Sequence, residues 1–168
     1  MNVTYQGIYN QIKLAAEDAN ELFNSPIFYE LIEKHPGFSC SEKKPIEIAD
    51  LIRNSTLKIQ VKLYKPRWKW SKVLGYFVKS HPNTIFLNIR KIYRETNSIT
   101  NTIIHECIHA LDYNENSNII EFGHNCGYFD NTAPYEIGNI AESIVNGSDF
   151  EQTGMLDVLD TVIEDRIF

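Results

Sequence analysis

Long apolar runs are missing: no window approaches the ~18 residues of a membrane span. The opening Met1-Asn2-Val3-Thr4-Tyr5-Gln6 also lacks the positive stretch and apolar run of a secretory leader. Membrane insertion and secretion by the usual signal are therefore not expected. Cysteine is scarce, with Cys40, Cys107 and Cys126 widely spaced and odd in number. That argues against a disulfide framework and for a reducing, cytoplasmic setting. Two further gaps concern charge. Residues 51–94 hold eleven basic side chains and no acid, while residues 95–168 hold fourteen acids and one Arg. The formal net charge of -6 thus conceals a +11 block beside a -13 block, and the whole-chain pI of 5.3 excludes a generally basic nucleic-acid binder.

Core material is not lacking. At 43% hydrophobic and 23% charged residues over 168 positions, the chain reads as one α+β domain, 1–168, rather than a disordered one. Its three parts follow the charge blocks. In the helical N-terminal part, 1–55, apolar positions at helical spacing predict a scaffold helix over Gln6–Phe23 and a shorter one over Pro26–Lys34, stopped by His35-Pro36-Gly37. Pro45 suits the first position of a third helix. In 56–94 the period changes to two: Leu57, Ile59, Val61 and Leu63 alternate with polar neighbours, and further strands are expected over Val73–Lys79 and Thr84–Ile89 with a turn at His81-Pro82-Asn83. A small antiparallel sheet is the expected product.

The chemistry lies in 95–168. Ile99, Ile103, Ile104, Ile108 and Leu111 form one stripe of a helix expected over Ser98–Tyr113, with Ser98 as N-cap. On it lies His105-Glu106-Cys107-Ile108-His109. Histidines at i and i+4 stack on one face, so both imidazoles can reach a single metal ion while Glu106 projects beside them. A zinc ion so held brings the pKa of a water to about 7, and the carboxylate can accept its proton as general base. With five His and fourteen Glu in the chain, random placement would produce this pattern only about 0.01 times.

A catalytic zinc takes three protein ligands and keeps one position open. His124, after Gly123, is the favoured third donor; Glu121, Cys126, Glu136 and Glu142 compete, the last two on a helix expected over Pro134–Val145. Tyr128 and Tyr135 are candidate donors to the oxyanion of a peptide-hydrolysis intermediate. Asp112 suits either an acceptor orienting a ligand imidazole or a solvated helix acid.

Taken with Ala110-Leu111 and the later Gly123-His124, the motif resembles the SprT-like branch of the zincin metallopeptidases across residues 57–130. The resemblance implies His105, His109 and His124 as ligands of one Zn2+, Glu106 as catalytic base and a protein or peptide substrate. Asn125 stands where that branch usually has Gly, and no CxxC ribbon follows. The chain is also similar to a minimal gluzincin, which would give the third-ligand role to Glu136 or Glu142. An exposed strand, Val73–Lys79 or Thr84–Ile89, would then hold an extended peptide. A different class is open as well: a non-catalytic, zinc-stabilised nucleic-acid-binding module, in which Lys58, Lys62, Lys65, Arg67, Lys69 and Lys72, interleaved with Tyr64, Trp68 and Trp70, grip phosphates and stack on bases. The simpler expectation for those cations is neutralisation by the acid-rich C-terminal third.

Overall fold

The computed structural model of the chain describes residues 1–115, 122 and 131–147. Among these, strand β1 (Asn2–Thr4) leads into α1 (Asn10–Leu22), α2 (Pro26–Glu33), α3 (Pro45–Asn54), β2 (Lys58–Tyr64), β3 (Gly75–Phe77), β4 (Thr84–Asn88), α4 (Thr96–Glu115) and α5 (Ala133–Asn146). This is the expected α+β class. Pro26 and Pro45 occupy first helical positions, where the missing N–H costs nothing. Lys44 N–H then donates to Glu47 Oε2 at 2.7 Å and closes the start of α3. The helix expected from Ser98 begins two residues earlier, at Thr96. Ser98 is not its cap; its hydroxyl accepts from Arg94 at 3.0 Å.

The sheet corrects the antiparallel expectation. Its order is β1-β2-β4-β3; β1 and β4 both pair parallel to β2, and only β3 runs antiparallel, against β4. The expected hairpin between the last two strands is there, with Tyr76 opposite Phe86. The ten residues 65–74 are too long for a tight hairpin from β2. They carry the chain past one strand position, about 4.8 Å wide, which β4 then fills. The strand expected over Val73–Lys79 shrinks to three residues. β1, with only Val3 buried, carries too little pattern to be read from sequence.

Helix α4 is the centre of the molecule. α1, α5 and the underside of β3 and β4 pack against it, and all five residues of its expected apolar stripe are fully buried. Each contributes about 1.5–3 kcal/mol of burial free energy. α1 approaches through Ala15, Ala16 and Ala19, whose short side chains allow close passage. On α5 the missing side chain of Gly138 does the same, since a Cβ there would lie 2.6 Å from Asn101 Oδ1.

One cysteine expectation fails. Cys40 is disulfide-bonded, whereas Cys107 is free and buried. Spacing along the chain carries no information about which thiols meet in space. Among the described residues no helix is long and apolar enough to cross a membrane.

Candidate metal centre

His105 and Glu106 are buried, with relative exposures of 3% and 2%, and His109 is half-buried. The i, i+4 spacing on α4 brings the imidazoles together so that their Nε2 atoms lie 3.2 Å apart. Two nitrogens bound to one tetrahedral zinc at 2.0–2.1 Å would stand about 3.3 Å apart. The pair therefore has the separation that a shared ion requires, and neutral imidazole nitrogens are suitable donors for it. Cys107, between them in sequence, points into the core. Burial, reinforced by the Glu106 charge, pushes its thiol far above the ordinary range.

The start of α5 supplies the facing wall. The two helices run antiparallel: Asn97 meets Asn146, Asn101 meets Asn139 and Glu142, and His105 meets Tyr135. The Tyr135 ring stands edge-on to the His105 ring with centroids 4.6 Å apart. Of the two candidate oxyanion donors, this one is therefore at the site; Tyr128 lies outside the described residues. His124, Glu121 and Cys126 lie outside them too.

Neither helix glutamate joins the pair. Glu142 accepts from Asn101 Nδ2 at 2.7 Å, a full helical turn before His105. Glu136 turns toward His35, with Oε2 3.6 Å from His35 Nε2 and both side chains buried. Among the described residues no third His, Cys, Asp or Glu completes a metal-binding group. His35, expected only as part of the stop after α2, has a tertiary partner as well. Its Nδ1 accepts from Gly37 N–H at 3.2 Å and its ring stacks on Phe38, which aims Nε2 at Glu136. The same segment is fastened to the start of α5 by Ser39 N–H donating to Asn131 carbonyl at 2.8 Å. No local signal could have found this contact, because its partners are brought together only by the tertiary fold.

Asp112 is not a solvated helix acid. It is 1% exposed, and its Oδ2 accepts the backbone N–H of fully buried Phe122 at 3.2 Å. The bond ties α4 to the chain two residues before His124. Asp112→Ala is expected to leave that N–H without its acceptor and to lower stability by about 1–3 kcal/mol, read as a fall in the urea midpoint at unchanged m-value; an unmoved midpoint would deny the bond any weight.

The edge strand passes over the same stretch of α4. Gly75 sits so close to it that an added Cβ would lie 2.8 Å from Thr102 Cγ2, and the Phe77 ring lies 5.9 Å from that of Tyr113. These contacts bracket Glu106 and His109 along the helix. Thr102 is itself fixed by Arg94, which donates to its hydroxyl at 2.7 Å; burial lowers that guanidinium to about 10, still charged at neutral pH. Of the two strands expected to offer an edge, β3 is the outer one and β4 is interior.

No family model, no curated protein and no solved structure matches the chain.

Proposed function

We propose that this protein is a zinc-dependent metallopeptidase, with His105 and His109 as two of the ligands, His124 as the third and Glu106 as general base. The observation that carries this reading is the 3.2 Å separation of the two Nε2 atoms beside a buried carboxylate on the same helix. A zinc ion bound there supplies the Lewis acidity that makes a water nucleophilic near neutral pH. Glu106 accepts the proton of the attacking water and returns it to the leaving amine. Tyr135, against His105, donates its phenolic O–H to the oxyanion that forms at the substrate carbonyl. The outer edge of β3, unpaired among the described residues, holds the substrate as an added strand by backbone hydrogen bonds.

The test is removal of the metal. The purified protein is expected to carry one zinc per chain, to lose hydrolysis of a casein or fluorogenic peptide substrate on chelation while staying folded by circular dichroism, and to regain it with zinc. Hydrolysis that persists after complete chelation would overturn the proposal. Unfolding on chelation, with no hydrolysis before it, would favour the zinc-stabilised binding module instead.

A further inference from the structure

The +11 block has one unexplained property. Of its eleven cations, only Arg53 forms ion pairs among the described residues, with Glu33 and Asp50. Arg94 is engaged by the Ser98 and Thr102 hydroxyls. The expected neutralisation by acids of the C-terminal third is not found among the described residues.

The cations without an ion pair among the described residues are not scattered. Because β2 and β4 are parallel, with Tyr64 opposite Asn88, the chain leaves both strands at the same end of the sheet. The segment after β2 carries Lys65, Arg67, Lys69 and Lys72, all exposed, and the segment after β4 carries Arg90 and Lys91. The first segment is fastened down by Asn88, whose N–H donates to Leu74 carbonyl at 2.9 Å and whose Nδ2 donates to Val73 carbonyl at 2.8 Å. Aromatic rings stand among these charges. Trp70 is 84% exposed, Trp68 69% and Tyr93 78%, so most of each ring is left in water, where it returns little burial free energy to the fold. Lys58 and Lys62, exposed on β2, continue the cationic track along the sheet.

We propose that this rim, Trp68 and Trp70 with the cations around them, binds a single-stranded nucleic acid. A line of cations running from β2 into the loop suits a linear chain of phosphates, and flat exposed indoles suit unpaired bases, each of which has a π face. An acidic peptide would satisfy the lysines and leave the rings without partners. An anionic membrane would engage the loop and leave Lys58 and Lys62 off its plane. The proposal is independent of the metal site.

Trp68 and Trp70 are the only tryptophans in the chain, so the protein's indole fluorescence reports from this rim and nowhere else. The experiment titrates the intact protein with twelve-residue oligothymidylate and oligouridylate, with poly-glutamate, and with phosphatidylserine vesicles. Saturable quenching by either oligonucleotide is expected, with affinity falling as salt rises by a logarithmic slope of about -0.7 per phosphate contacted. Trp70→Ala, at an exposed position that the fold does not use, should weaken binding about 5- to 150-fold. Lys69→Ala should reduce the salt slope by about 0.7. Quenching by poly-glutamate or vesicles without quenching by oligonucleotides would overturn the proposal, as would no response to any of them. Oligonucleotide binding that Trp70→Ala leaves unchanged would overturn the role of the rim.

Discussion

Glu106→Gln is expected to bind zinc like the parent protein and to lose peptide hydrolysis by about a hundred- to ten-thousand-fold, the range general acid–base groups contribute. The two side chains have nearly the same shape, and Glu106 is buried, so its packing within α4 is retained. What disappears is the ability to accept a proton from the attacking water. Zinc content and turnover of a fluorogenic peptide should be measured on the same preparation. Turnover at the parent rate with full zinc occupancy would remove Glu106 from the mechanism.

A second pair of substitutions separates a ligand from its neighbour. His105→Ala should weaken zinc binding by more than about a hundredfold, beyond what loss of an outer supporting group usually costs. Glu136→Ala should leave zinc affinity within a few-fold, because its carboxylate faces His35 at 3.6 Å rather than the histidine pair. Its effect should fall on stability instead, about 1–3 kcal/mol, since a buried imidazole loses its polar partner. Competition with a chromogenic zinc chelator reads the first quantity and urea unfolding the second. Equal losses of zinc affinity in the two variants would return Glu136 to the coordination sphere and favour the gluzincin-like arrangement.

These contrasts show where residue patterns were enough and where they were not. Pro26, Pro45 and the isoleucine stripe of α4 act locally, through φ, a missing N–H and the 3.6-residue period, so the helices were legible to within a few residues. The convergence of His105 and His109 is likewise a property of one helix. Everything that required two distant segments was not legible. β2 has the same alternation whether its neighbour is parallel or antiparallel, so strand direction was not legible even where the strands themselves were, and β1 was missed altogether. Glu136 sits one residue from Tyr135, which touches His105, and a helix of glutamates beside a zinc motif looks the same whether they face the metal or His35. The disulfide at Cys40 is also a fact of tertiary placement.

The insertion of β4 between β2 and β3 has a consequence for how the molecule is made. When residues 75–77 leave the ribosome, the strand they will pair with does not yet exist, and β2 has no neighbour on the side that β4 will occupy. The sheet can close only after Asn88 is available, with β1 already brought back across more than fifty residues to Lys58. Every parallel ladder here closes a large loop before its contacts repay the entropy. Folding should therefore be slow for a chain this helical. Until it is complete, the edge of β2 that β4 will cover remains open to pairing with other nascent chains.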